Sequence, residues 1–127
     1  MKLALWVGMG GFLGSIARYL LSKYIFSQAG NAFPWATLAV NLSGCFIIGL
    51  LIGWFSRSET LSAEYRMFLM VGFCGGFTTF STFASESLQL LRGGEWLEFS
   101  LYTVVSVVCG IALTALGSYL ALSVRNG

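Results

Sequence analysis

Residues 75–87 read GGFTTFSTFASES, a hydroxyl-rich run inside a longer apolar stretch of about 67–91. Every unsatisfied polar group is costly in hydrocarbon, so these side chains must face protein or water rather than lipid. Two adjacent glycines followed by two β-branched threonines predict a helix that is broken near mid-membrane, where freed carbonyls can bind ions. A continuous helix, with its hydroxyls bonded to its own backbone, is the alternative that this pattern leaves open.

The composition of the whole chain is that of a membrane protein. Of its 127 residues 57% are hydrophobic and only 9% are charged, against roughly 25% charged in an average soluble domain. A membrane-spanning helix needs about 20 apolar residues. Four stretches meet that length, at about 3–26, 34–55, 67–91 and 97–124. We therefore predict an all-α membrane protein, with one four-helix transmembrane domain covering residues 1–127.

The remaining composition excludes several classes of function. A net charge of +2 provides no basic face for nucleic acid, and the absence of histidine removes the usual proton shuttle. The sequence contains no pairing of a nucleophile with a base, so we predict that the chain is not an enzyme. The three cysteines form neither a disulfide framework nor a zinc spacing, and are interpreted as small buried apolar residues: Cys45, Cys74 and Cys109.

The distribution of positive charge bears on how the chain is inserted. With four spans, both termini and the middle loop share one side of the membrane. That side carries four basic residues: Lys2, Arg57, Arg66 and Arg125. The opposite side carries three, if the side chain of Arg18 reaches outward: Arg18, Lys23 and Arg92. This difference of one basic residue is small, which favours copies that are inserted in both orientations and paired antiparallel. The alternative is that the small difference still fixes one orientation.

Small residues recur at a spacing of four in three of the spans. The pairs are Gly10 with Gly14, Gly49 with Gly53, and Gly72 with Gly76. Such pairs allow membrane helices to approach closely, either within one subunit or between subunits. A monomer of four helices has little interior in which to bury the polar residues of the third span, so we expect an oligomer.

Other polar and aromatic residues in the spans suggest permeation of an ion. Asn41 offers two donors from a span without charge, for a structural hydrogen bond or for a pore. Phe80 and Phe83 lie three residues apart on one helix face, and their ring edges attract anions. Glu86 is the only acid well inside a span, since Glu98 stands at the very start of the fourth, and it makes proton coupling a candidate. Because donors outnumber carboxylates, an anion is favoured over a cation.

Three motifs resemble one known family. Residues 10–19 (GGFLGSIARY), 37–44 (TLAVNLSG) and 72–83 (GFCGGFTTFSTF) are similar, in this order, to motifs of the Fluc/CrcB fluoride channels. They span about the first two thirds of the chain, and the third motif is the most specific. The fourth helix is less distinctive.

This resemblance implies a fluoride-selective channel that exports fluoride passively across a bacterial inner membrane and lowers cytoplasmic fluoride. It implies an antiparallel, dual-topology homodimer in lipid, with two pores that are each built from both subunits. The expected pore residues are Asn41, Thr79, Phe80, Ser81, Thr82, Phe83, Tyr102, Ser106 and Thr114. Arg18 is expected in a vestibule, and the backbone carbonyls of Gly75 and Thr78 are expected to hold a structural Na⁺ on the dimer axis. No organic cofactor is implied.

Two other functions are compatible with a small four-helix membrane protein. A proton-coupled drug exporter of this size depends on a glutamate in its first helix, and this first helix has none. A scaffold subunit that transports nothing is the second alternative. Ion flux from the purified protein in liposomes distinguishes all three.

Overall fold

The computed structural model describes residues 1–29, 33–56 and 61–126, and every regular element in these ranges is helical. In chain order the elements are α1 (Lys2–Ala29), α2 (Trp35–Phe55), α3 (Ala63–Arg66), a π-helix (Met67–Cys74), α4 (Gly75–Phe77), α5 (Phe80–Arg92) and α6 (Trp96–Asn126). Of the charges counted for orientation, Arg57 and the side chain of Arg125 lie outside the described part of the chain.

Four stretches are long and apolar enough to cross a membrane: Lys2–Phe26, Trp35–Phe55, Ala63–Arg92 and Trp96–Val124. The prediction of an all-α chain with four membrane-spanning helices is therefore confirmed for the described residues. We call Ala63–Arg92 the third span. It is composite, because it contains α3, the π-helix, α4 and α5 in succession.

The helices pack in two close pairs, α1 along the third span and α2 along α6. Glycines make the contact in each pair. A Cβ at Gly10 would overlap the carbonyl oxygen of Phe68, and one at Gly49 would overlap that of Thr114. The glycine pairs found in the sequence therefore bring helices of the same subunit together, which decides between the two roles that their spacing allowed.

The π-helix Met67–Cys74 is a feature that sequence analysis did not predict. Its wider turns, with hydrogen bonds from residue i to i+5, are rare and occur mainly near functional sites. The helix narrows again after Cys74, whose carbonyl accepts a hydrogen bond of 3.0 Å from the amide of Thr78. This change of pitch comes one turn before the end of α4.

The buried core of the subunit lies at the end of the bundle where α5 gives way to α6. Tyr102 is fully buried there, packed with Leu38 and Leu90. Large apolar side chains of α1 and α6, in contrast, are widely exposed. An apolar outer surface around a small core is the arrangement expected of a chain whose solvent is lipid.

The close packing of α1 against the third span can be tested by substituting a glycine of α1. A Cβ at Gly14 would overlap the carbonyl oxygen of Phe73, whereas a Cβ at Gly8 on the same helix meets nothing within 4 Å. We expect Gly14→Ala to destabilise the protein by about 1–3 kcal/mol, because overpacking forces the two helices apart. Gly8→Ala, the matched control, should leave stability unchanged or slightly higher. Thermal unfolding in detergent measures both, and equal effects would contradict this account of the packing.

Candidate functional site

The third span contains two successive residues with extended backbone. α4 ends at Phe77, and Thr78 and Thr79 have ψ angles of 158° and 117°. α5 begins at Phe80, with Thr79 as its N-cap. The hydroxyl of Thr79 accepts a hydrogen bond of 3.2 Å from the amide of Thr82, which satisfies one of the free donors at the start of α5.

Asn41 of α2 holds this segment through two hydrogen bonds. Its Nδ2 donates to the carbonyl of Thr79 at 3.0 Å, and the amide of Thr79 donates to its Oδ1 at 2.8 Å. In an uninterrupted α-helix the amide of Thr79 would bond to the carbonyl of Gly75. Because Asn41 takes this donor, the carbonyl of Gly75 loses its helical partner. One hydrogen of the Asn41 side chain remains for another acceptor.

Arg18 of α1 binds the backbone of the third span just before the extended segment. Its Nε donates to the carbonyl of Gly76 at 3.0 Å, near the C-terminal end of α4. A cation is favourable at this position because the last carbonyls of a helix are unpaired and carry partial negative charge. The side chain of Arg18 therefore turns onto the third span, and its assignment to a vestibule stays a prediction.

An open cavity of about 480 Å³ lies against the extended segment. Seven of the residues predicted for the pore and the sodium site line it: Asn41, Gly75, Thr78, Thr79, Phe80, Phe83 and Ser106. Four others are not part of this lining: Ser81, Thr82, Tyr102 and Arg18. Thr114 lines a second groove farther along α6, which shares Cys45 and Ser106 with the first. The structure thus assembles most of the predicted residues around one space.

The two phenylalanines differ in their surroundings. Phe80 is 79% exposed on the surface of the subunit, whereas Phe83 is partly buried and packs against Tyr102 with 4.9 Å between ring centroids. The rings of Phe80 and Phe83 are 5.8 Å apart and tilted by 39°. Ser81 is exposed beside them. The aromatic pair therefore forms one wall of the cavity and opens to the outside of the subunit.

Thr114 is a less suitable donor than its sequence position suggested. Its hydroxyl is shared between the carbonyls of Gly110, at 2.9 Å, and Cys45, at 3.2 Å. The hydroxyl of Ser106, in contrast, is buried without a hydrogen-bond partner among the described residues. Of these two α6 residues, Ser106 is the one whose donor is available to a ligand.

Thr37 is a residue near the site that was not predicted from the sequence. Its hydroxyl donates to a carboxylate oxygen of Glu86, which joins α2 to α5 inside the bundle. The hydroxyl of Tyr102 lies near both the Thr37 hydroxyl and the Glu86 carboxylate. Thr37 precedes Asn41 by four residues, so both lie on one face of α2. This spacing of four residues is the feature of the sequence that could have identified Thr37.

Comparison with known proteins agrees with this picture. A family model described as CrcB-like protein, Camphor Resistance (CrcB), matches residues 5–118. A relative from Phocaeicola vulgatus is 46% identical over 121 residues, which cover 95% of this chain and 99% of the relative. One from Bacteroides fragilis is 44% identical over 123 residues (94% and 96%), and one from Chlorobium luteolum is 50% identical over 106 residues (84% and 81%).

Each of these relatives is named a fluoride-specific ion channel, FluC. The resemblance to the family from the three sequence motifs is confirmed. The relatives are named ion channels and not enzymes, which confirms the prediction that this chain is not an enzyme. The match begins within α1 and ends within α6, so it reaches all four spans. This chain is a multi-pass membrane protein that belongs to the CrcB family.

Proposed function

We propose that this protein is a fluoride-selective channel of the bacterial inner membrane that lets fluoride leave the cytoplasm passively. The names of its relatives support this function. The observation that carries it is the lining of the 480 Å³ cavity, where none of the described residues is charged. Among mostly apolar residues, the lining includes an amide, hydroxyls and phenyl rings, contributed by Asn41, Thr79, Ser106, Phe80 and Phe83.

These groups suit the chemistry of fluoride. The ion is small and strongly hydrated, so a pathway must replace the donors of water with donors of the protein. Amide and hydroxyl groups supply them without the deep binding that a lysine or arginine would impose. The positive edges of the two phenyl rings add weak contacts that also attract an anion. Many weak contacts allow the ion to leave as well as to enter.

A second copy of the chain completes the proposed pathway. Phe80, Ser81 and Gly75 are exposed on the isolated subunit. Thr78 and Thr79 lie about midway along the third span, which supports a break near mid-membrane. Polar groups and extended backbone at that depth must be covered by protein. We infer an antiparallel dimer with two pathways, each formed by both subunits, and the nearly balanced basic residues of the two sides support this orientation.

The extended segment also suits the proposed structural sodium ion. The carbonyl of Gly75 has lost its helical donor to Asn41. Gly75 is exposed and a Cβ there would meet nothing within 4 Å, so a second copy of the chain could approach this residue. Carbonyl oxygens are hard ligands that fit a hard cation. Gly75 and Thr78 of the two copies would hold Na⁺, which would tie the two extended segments together.

Flux through the purified protein in liposomes tests the function. We expect fluoride to pass and chloride to be excluded, as measured with ion-selective electrodes. Phe80→Ile removes a ring edge, and Asn41→Asp replaces a donor by a carboxylate that repels an anion. We expect each to lower fluoride efflux at least about tenfold, the loss of roughly one charge-assisted contact, while the protein still assembles.

Ser43→Ala is the control for this experiment, because the hydroxyl of Ser43 bonds to carbonyls of its own helix. Normal conduction by both Phe80→Ile and Asn41→Asp would show that the pore residues are wrongly assigned. Flux that follows a pH gradient and disappears in Glu86→Gln would favour a proton-coupled exporter. Liposomes that remain tight to fluoride would favour a scaffold subunit.

Insertion in both orientations is tested separately. A cysteine appended after Gly127, in a variant with Cys45, Cys74 and Cys109 replaced by alanine, reports the side on which the C-terminus lies. With so small a difference in basic residues between the sides, we expect about half of the molecules to react with a membrane-impermeant thiol reagent added outside. Permeabilised cells give the total. Labelling of all molecules, or of none, would contradict the antiparallel dimer.

A further inference from the structure

Four hydroxyls are buried without a hydrogen bond of good geometry among the described residues: Ser87, Tyr102, Thr103 and Ser106. Of these, the hydroxyl of Tyr102 lies near that of Thr37. Three other hydroxyls in the spans do not share this state. They donate to carbonyls of the preceding turn, at 2.7 Å for Ser43, 2.8 Å for Thr78 and 2.9 Å for Thr114. A serine or threonine in a helix therefore has a partner within reach. The hydroxyls of Ser87, Thr103 and Ser106 are turned away from such a carbonyl.

The four hydroxyls belong to one region of the subunit. Tyr102 and Ser106 are four residues apart on α6, and Thr103 and Ser106 are three apart, so the three share a face. Ser87 lies on α5 between Phe83 and Leu90, at helical spacings of four and three. Both of these neighbours pack against Tyr102. Ser87 therefore faces α6 at the level of Tyr102.

Burial makes these groups informative. Ser87 is 8% exposed and Tyr102 is fully buried. A buried polar group without a partner is unfavourable, and native structures almost always provide a protein group, a water or an ion for it. Ser106, which lines the cavity at the extended segment, connects this region to the proposed pathway.

We propose that Ser87 and Thr103 are further donors of the fluoride pathway. The route then continues from Ser106 along the interface of α5 and α6 to Tyr102. This inference rests on the proposed channel function and adds two residues that the sequence motifs did not mark. The ligand is a small acceptor, fluoride with the few waters that accompany it, because all four groups are hydroxyls that can donate.

The nearby carboxylate of Glu86 favours the passage of an anion over its tight binding. The carboxylate of Glu86 accepts a hydrogen bond from Thr37 and lies near the hydroxyl of Tyr102. An anion at Tyr102 is therefore held by donors and repelled by a negative charge close by. Such a balance limits its residence there and favours onward movement.

The test compares Ser87→Ala and Thr103→Val with Ser43→Ala, a matched loss of a hydroxyl that bonds to its own helix. Two quantities are measured on each protein: the rate of fluoride efflux from liposomes, and the rise in Tm that fluoride, but not chloride, produces in detergent. We expect Ser87→Ala and Thr103→Val to slow efflux about tenfold, the effect of one lost hydrogen bond to an ion. The fluoride-dependent rise in Tm should also be smaller in these two variants than in the wild type.

In the absence of fluoride, Ser87→Ala should unfold at a temperature no lower than that of the wild type, because it removes an unpartnered hydroxyl. A lower Tm without fluoride would indicate a structural role and overturn the inference. Unchanged efflux and Tm shifts in both variants would overturn it too, and would leave the channel function intact. An equal loss in Ser43→Ala would show that the effect is unspecific. A wild type that passes no fluoride would instead refute the channel function itself.

Discussion

The pair of hydrogen bonds between the side chain of Asn41 and the backbone of Thr79 is the interaction on which the site depends. A membrane helix normally satisfies all its backbone groups internally, so an interruption within the bilayer requires outside partners. Asn41 satisfies both groups of Thr79, and Arg18 satisfies the carbonyl of Gly76. The extended segment is therefore held by α2, and the end of α4 that precedes it is held by α1.

The rest of the site follows from this interruption. Close packing at Gly10 and the other glycines brings α1 within reach of the third span, so that a side chain of α1 can bond to a carbonyl of α4. The turn to extended backbone then directs Phe80 outward while Phe83 stays packed on Tyr102. The same geometry leaves the carbonyl of Gly75 available. The proposed anion pathway and the proposed cation site thus have a common structural origin.

The sequence determined the four spans and the family, because hydrophobic length and the three motifs are local properties. It also singled out Asn41, but only as a donor with two possible roles. Its partner Thr79 lies 38 positions along the chain, and no local pattern reveals that pairing. The partner of Arg18 was hidden in the same way. The π-helix was missed because its composition does not differ from that of an ordinary apolar helix, and Thr37 because its partner Glu86 belongs to another span.

Hydrogen exchange at the amide of Thr79 shows whether Asn41 holds the extended segment. The amide is bonded to Asn41 in the wild type, and Asn41→Leu removes that acceptor with little change in side-chain volume. We expect this amide to exchange at least about tenfold faster in the variant, because one hydrogen bond is lost, while amides in the middle of α5 keep their protection. Equal protection of the Thr79 amide in both proteins would show that Asn41 does not hold the extended segment.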